Sequence, residues 1–276
     1  MRSILRMWKC AHHTGEISSE ENVRGAFKRI LSSAVVPCPG IPQLQKVTFR
    51  IGPEKVSAFL ALACGSGRHP AIIAIHEWWG LTDWVKEKAR NLAVNGYIVL
   101  AADLYRGKVT SNPTEARRLK SRLRKDRAIR DLKAAFQYLA RRPDVDPARI
   151  SSLGWSMGGG LALQLAIQEP RLAACVVNYG PLPTESSDIQ KIQARVLGNF
   201  GSLDRGILPR RVRAFEKSMT ALNKSIDIKI YPGAGHGFAN LDNRREYRPE
   251  AAADAWSRTL AFLAEPKESQ DLQDRR

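Results

Sequence analysis

Residues 149–169 read RISSLGWSMGGGLALQLAIQE, and this stretch decides the fold. Its first part, RISSLGW, has the length and apolar character of a buried strand. Its second part, GGGLALQLAIQE, has the length and character of a helix. Between them lies Gly154-Trp155-Ser156-Met157-Gly158, a G-x-S-x-G segment. A Ser at a sharp strand-to-helix turn has a strained backbone and an exposed hydroxyl at the carboxyl edge of the sheet. Gly154 and Gly158 leave room for the strand and the helix to pass closely, where a side chain would clash. The helix N-terminus beyond Ser156 favours negative charge developing beside it. The plainer alternative is a glycine-rich turn with an incidental Ser. A phosphate-binding loop would need G-x-x-x-x-G-K-[ST], and no Lys follows Gly160.

Outward from this turn, apolar β-branched runs alternate with helical patterns. The runs are AIIAIH (71–76), YIVLAA (97–102), AACVVNY (173–179), ARVLGNF (194–200) and IDIKIY (226–231). Helical stretches are expected near 83–95, 114–141, 157–169, 208–223 and 246–263. Continuous apolar strands separated by helices indicate a mostly parallel sheet covered on both faces. Upstream, KVTFRI and VSAFLALA flank Gly52-Pro53-Glu54, which reads as an antiparallel hairpin. One α/β domain over residues 41–265 is expected. It is preceded by an N-terminal extension (1–40), partly disordered or with a short helix around Asn22–Leu31, and followed by a polar tail (266–276). Only about 14 residues, GPLPTESSDIQKIQ, separate VVNY from ARVLGNF, too few for a cap domain. The pocket is then walled by core loops, which favours a small or protruding ester.

A serine hydroxyl is a weak nucleophile until a base takes its proton. In a sheet of this kind the chain order is Ser, acid, His. Of the five histidines, only His236 follows Ser156. It sits in Tyr231-Pro-Gly-Ala-Gly-His-Gly-Phe238, a glycine-rich loop past the strand IDIKIY, at the sheet end where ligands bind. The acid belongs on an earlier loop at that edge. Asp204, in Gly201-Ser-Leu-Asp204, is the best placed. Asp188 precedes a strand, Asp227 lies within one, and Asp242 follows the His. An oxyanion needs two backbone donors. One is the amide of Met157, and the other comes from the loop after AIIAI, His76-Glu77-Trp78-Trp79-Gly80. Trp78, Trp79, Tyr105, Tyr179 and Phe238 are candidates for apolar pocket lining, with ordinary core packing as the alternative.

The 276-residue chain has 44 Lys and Arg against 27 Asp and Glu, a formal net charge of +17. Hydrophobic residues make up 43% and charged residues 26%, which excludes general disorder and a small secreted scaffold. Eleven Lys or Arg fall between Arg117 and Arg142. An apolar stripe through Leu119, Leu123, Ile129, Leu132 and Phe136 makes those charges read as a solvated helix face. The surplus could attract nucleic acid non-specifically, but no nucleic-acid signature is present and no specific nucleic-acid partner is expected. No membrane-spanning run exists. The N-terminus lacks an apolar signal core and carries Glu16, Glu20 and Glu21, so a cytoplasmic, soluble protein is expected. The four cysteines form no CxxC, and Cys175 reads as an inert core thiol. Cys10-Ala-His12-His13 is a weak metal candidate. No metal and no organic cofactor are expected.

Together HEWWGL (76–81), ADLYRG (102–107), GWSMGGG (154–160), GSLD (201–204) and YPGAGHGFAN (231–240) resemble the dienelactone hydrolase family, a branch of the α/β-hydrolases. The resemblance spans about residues 45 to 265. It implies an α/β-hydrolase fold with Ser156 as nucleophile, His236 as base and Asp204 as orienting acid. It also implies that Glu77 lies beside the nucleophile and that the Trp78 and Met157 amides form the oxyanion hole. Tyr105 and Arg106 resemble the family's substrate-pocket segment. Two departures stand out. The best-known members use Cys where this chain has Ser156, which leans harder on His236 as base. Members that cleave dienelactone carry Ser and Arg in the His loop, where this chain has Gly237 and Asn240. The leading expectation is a hydrolase of small carboxylic esters or lactones working through an acyl-serine. The alternatives are a thioesterase or peptidase with the same triad, and a basic protein that binds an anionic polymer and retains a silent triad.

Overall fold

The computed structural model describes residues 42–52 and 54–265. The N-terminal extension, its expected helix around Asn22–Leu31, the Cys10-Ala-His12-His13 group and the polar tail lie outside the described residues. Eight strands form one sheet in the order β1-β2-β4-β3-β5-β6-β7-β8. The expected hairpin is present: β1 (Leu44–Ile51) pairs antiparallel with β2 (Glu54–Ala61). β2 then pairs antiparallel with β4 (Ile98–Ala102). Every pairing from β4 onward is parallel, through β3 (His69–Ile75), β5 (Val145–Trp155), β6 (Ala174–Asn178), β7 (Arg195–Gly201) and β8 (Ile226–Tyr231).

Burial follows position in the sheet. The inner strands β4 and β6 are buried at every residue, whereas the edge strands β1 and β8 alternate between more and less exposed positions. This is the pattern of a sheet covered on both faces in its middle and half-solvated at its margins. One core layer gathers Ile73, Leu100, Leu132, Phe136, Leu163 and Phe215. The other gathers Ile72, Val85, Leu92, Leu153, Val176 and Phe262. The helices that close the second layer are α1 (Asp83–Val94) and α7 (Pro249–Ala264). On the first side lie α2 (Pro113–Arg122), α3 (Lys125–Ala140), α4 (Met157–Gln168) and α6 (Pro209–Ala221). Between β6 and β7 there is only α5 (Ser186–Gln190), so among the described residues no cap domain is inserted there, and the sheet is that of the expected α/β-hydrolase fold. No helix among the described residues is long and apolar enough to cross a membrane.

One expectation is corrected. The helix expected over 114–141 is two helices, broken where Leu123 (ψ 99°) and Arg124 (ψ 131°) turn extended. The apolar positions explain the break. Leu119 and Leu123 are four apart, but Leu123 and Ile129 are six apart, which at 3.6 residues per turn puts them on different faces. Two short helices can both bury their stripes where one long helix could not. Arg124 folds its guanidinium back onto Asp126 across the break, at 3.1 and 2.8 Å. Cys175 is fully buried in β6, and burial pushes its thiol up to about 12, as expected of an inert core cysteine.

Candidate active site

The residues singled out in the sequence converge at the carboxyl ends of the strands. Ser156 follows β5 directly and holds φ 51°, a left-handed conformation that non-glycine residues rarely adopt. The strain is held by neighbours on both sides. The Ser156 amide donates to the Asn178 carbonyl at 2.9 Å, and the Asn178 side-chain amide donates to the Gly154 carbonyl at 3.3 Å. A Cβ on Gly158 would strike the carbonyl oxygens of Ile75 and His76, and one on Gly154 would strike the carbonyl of Gly158. The glycines of the motif are therefore required by contact between β3, β5 and α4.

Three side chains form a continuous hydrogen-bonded row. The Ser156 hydroxyl meets His236 Nε2 at 2.8 Å, and His236 Nδ1 meets Asp204 Oδ2 at 2.8 Å. A carboxylate only accepts, so Nδ1 carries the proton and Nε2 is left to accept from the hydroxyl. Asp204 is buried, and its other oxygen accepts the amides of Gly206 and Ile207, both at 2.8 Å. Burial opposes its charge, but the His236 hydrogen bond and those amides outweigh it and hold the carboxyl below its ordinary range. The loops carrying Asp204 and His236 are stitched together: Ser202 N–H donates to the Tyr231 carbonyl at 3.0 Å and Leu203 N–H to the Ala234 carbonyl at 2.8 Å. Of the other carboxylates weighed in the sequence, Asp242 lines the cavity but makes no contact with His236, and two lie elsewhere. Asp188 pairs with Lys191 and Asp227 with Arg258.

Glu77 is buried at the floor, where its Oε2 accepts from the Asn240 side-chain amide at 2.6 Å. Burial pushes its carboxyl up to about 6, with the Asn240 bond pulling the other way. Asn240 is thus a lock on Glu77. Tyr179 is fully buried beside Glu77, and burial, with that carboxylate next to it, pushes its hydroxyl well above its ordinary value. The neighbouring His76, which the sequence did not mark for a role, is a strut. Its Nδ1 pairs with the Glu77 carbonyl, and its Nε2 accepts from the Leu104 amide at 3.3 Å. It joins the loop after β3 to the loop after β4. Met157 opens α4, so its amide has no partner within the helix.

A cavity of about 700 Å³ opens over Ser156 and His236. Glu77, Trp78 and Trp79 line it, with the two indole rings 4.7 Å apart. The other four expected lining residues do not reach it. Tyr105 is buried with its hydroxyl toward the Met157 sulfur. Arg106 turns its guanidinium away, onto the buried Asp131 at 2.7 Å and Glu54 at 3.7 Å. Tyr179 packs edge-on behind the His236 ring at 5.4 Å, and Phe238 packs against Tyr179 at 5.5 Å. In their place the wall holds Thr82, Thr110, Ser111, Lys120, Asp242 and Asn243. Thr110 and Ser111 follow β4 at the ligand end of the sheet, a position that could have marked them. Lys120 carried no such signal. Among the described residues there is no group of His, Cys, Asp or Glu arranged to hold a metal ion.

A model of the dienelactone hydrolase family matches residues 56–266. The chain belongs to the dienelactone hydrolase family. Membership makes it a hydrolase of the ester and lactone class. It is 35% identical to a Saccharolobus solfataricus protein provisionally named carboxymethylenebutenolidase, over 76% of this chain and 93% of that one. It is 31% identical to a Bradyrhizobium protein provisionally named 2-oxo-3-(5-oxofuran-2-ylidene)propanoate lactonase, over 76% of this chain and 89% of the other. A Klebsiella pneumoniae structure provisionally named dienelactone hydrolase superimposes with a TM-score of 0.74 at 27% identity, covering 82% of this chain and 100% of that one. Within this family frame, the present member carries Ser156 at its elbow, with Gly237 and Asn240 in its His loop.

Proposed function

We propose that this member of the dienelactone hydrolase family is a serine hydrolase that cleaves carboxylic esters or lactones through an acyl-serine intermediate. The observation that carries this reading is the unbroken row Ser156–His236–Asp204, with both contacts at 2.8 Å. Ser156 Oγ attacks the carbonyl carbon as its proton passes to His236 Nε2. Asp204, accepting from Nδ1, fixes the tautomer and stabilises the imidazolium that forms. The Trp78 and Met157 amides take the tetrahedral oxyanion. Collapse expels the alkoxide, which receives the proton from His236 and, in a lactone, remains attached to the acyl group. Water then attacks the acyl-serine by the same route and frees the carboxylic acid. Glu77, buried and bonded to Asn240, acts here as a pocket carboxylate. A serine hydroxyl needs base assistance, and His236 supplies it.

The test is hydrolysis of p-nitrophenyl acetate together with labelling by a fluorophosphonate. Wild type is expected to turn over the ester and to be labelled at Ser156, and Ser156→Ala to lose both. A Ser156→Ala protein that keeps the wild-type rate would overturn the reading. A wild type that resists the label, releases no alcohol and binds nucleic acid in a salt-sensitive way would replace it with a silent triad on a basic surface.

A further inference from the structure

Two asparagines stand side by side in the strands next to the elbow, and both are buried. The runs AACVVNY and ARVLGNF carry Asn178 and Asn199. These are partners in the register of β6 and β7, and Asn178 is in turn the partner of Trp155 in β5. They are 4 and 0% exposed. Asparagine is disfavoured in strands, and a buried amide is costly unless it is hydrogen-bonded. Here each amide is satisfied by the other and by what flanks them. Asn178 Nδ2 donates to the Gly154 carbonyl at 3.3 Å, Asn199 Nδ2 to Asn178 Oδ1 at 3.0 Å, and Arg258 Nη1 of α7 to Asn199 Oδ1 at 2.9 Å. A guanidinium only donates and a carbonyl only accepts, so both amides must face the same way. The result is a one-directional row from a cation on α7, across β7 and β6, to the turn that carries Ser156.

The far end of the row is anchored. Arg258 Nη2 donates to Asp227 in β8 at 2.6 Å, and Lys229 and Tyr231 of the same strand both donate to Asp254 of α7 at 2.8 Å. The backbones of the two asparagines are engaged as well. Asn178 accepts the Ser156 amide at 2.9 Å, and Asn199 accepts the Tyr179 amide at 2.8 Å. Ser156 and Tyr179 hold φ 51° and 40°, and Tyr179 packs on His236. Neither Asn199 nor Arg258 lines the catalytic cavity.

We propose that Asn199 and Arg258 are positioning residues for the nucleophile. Through Asn178 they keep the elbow in the conformation that sets the Ser156 hydroxyl against His236. A left-handed non-glycine residue persists only where its surroundings over-determine it, and a small displacement of a reacting atom is costly in rate. This rests on the serine-hydrolase reading and adds residues that act on Ser156 without meeting the substrate.

The experiment measures kcat and KM for p-nitrophenyl acetate, the rate of fluorophosphonate labelling and the urea unfolding midpoint. The proteins are wild type, Asn199→Leu, Arg258→Met, Arg258→Lys and Arg195→Met. Arg195 also ties the sheet to α7, donating to the Phe262 and Glu265 carbonyls at 2.9 and 2.7 Å, but stands outside the row. Asn199→Leu is expected to lower kcat and the labelling rate about 30-fold and Arg258→Met about tenfold, with KM within about twofold of wild type. Arg258→Lys restores a donor and brings kcat back to within about threefold. Arg195→Met unfolds earlier but keeps the wild-type kcat. An Arg258→Met protein within about twofold of wild type in kcat and labelling overturns the proposal, whether or not Asn199→Leu folds. An equal fall in Arg195→Met, or an Arg258→Lys protein no better than Arg258→Met, reduces the row to helix anchoring and overturns it too. Failure of the serine reading is seen separately, as activity surviving in Ser156→Ala.

Discussion

The floor of the catalytic cavity and its rim are built on opposite terms. At the floor the reacting groups are held. Ser156 is gripped through Asn178, His236 lies between two partners, and Asp204 accepts three hydrogen bonds. At the rim, Lys120 and the Asp242 carboxylate make no ion pair or side-chain hydrogen bond with the described residues. Strained or buried polar groups persist only where the surroundings over-determine them. Groups that must meet a variable ligand are left without internal partners. The contrast separates what fixes the chemistry from what selects the substrate.

The largest effect should come from breaking the floor at its nucleophile. Ser156→Ala is expected to lower kcat by about 10⁴-fold or more, read as ester turnover, with the fold intact by circular dichroism. Asp204→Asn keeps the shape but no longer holds the imidazole in its productive tautomer. A fall of about 10³-fold in kcat with little change in KM is expected, and a variant within threefold of wild type would show that Asp204 does not orient the ring. Gly158→Ala drives a methyl into the Ile75 and His76 carbonyls. Denaturant unfolding should register a loss of about 3 kcal/mol, far more than any single rim substitution, which should stay within about 0.5 kcal/mol.

The smallest effect concerns pH. Glu77 holds its proton more tightly in the folded protein, at about 6 against an ordinary 4.5. Its contribution therefore favours folding at low pH and turns into a penalty as pH rises through 6. Glu77→Gln should remove about 1 kcal/mol of the stability difference between pH 5 and pH 7. Asp204 acts with the opposite sign. Its lowered value adds stability at neutral pH that is lost as pH falls below the ordinary carboxylate range. Unfolding midpoints of Glu77→Gln and wild type, followed from pH 4 to 8, separate the two. Parallel curves would show that Glu77 does not titrate in that window.

Much of this was legible because period and order are local properties. β4, β6 and β8 begin and end within a residue of the apolar runs that predicted them. The Ser-acid-His order pointed to side chains that lie in contact across 80 and 32 residues of sequence. The misreadings share a cause. Tyr105, Tyr179 and Phe238 are expected at the pocket as apolar lining, and Arg106 by resemblance, but neither signal gives the direction of a side chain. Arg106 carries a positive φ of 57° and turns its guanidinium to Asp131. Tyr179, at φ 40°, turns inward behind His236. Likewise the extended ψ at Leu123 and Arg124 settles where each short helix faces, which a charge-rich stretch does not announce.

The sequence by itself determined the alternation of strands and helices, the glycines at the elbow and the chain order of hydroxyl, carboxylate and imidazole. These follow from steric limits on neighbouring residues and from the one-way path of a parallel sheet. Only the tertiary structure decided that Arg106 would turn to Asp131, that Asn240 would lock Glu77, and that α2 would carry Lys120 to the cavity wall. Those depend on the directions in which side chains leave separate elements once packing has fixed their relative positions, and no local pattern encodes that.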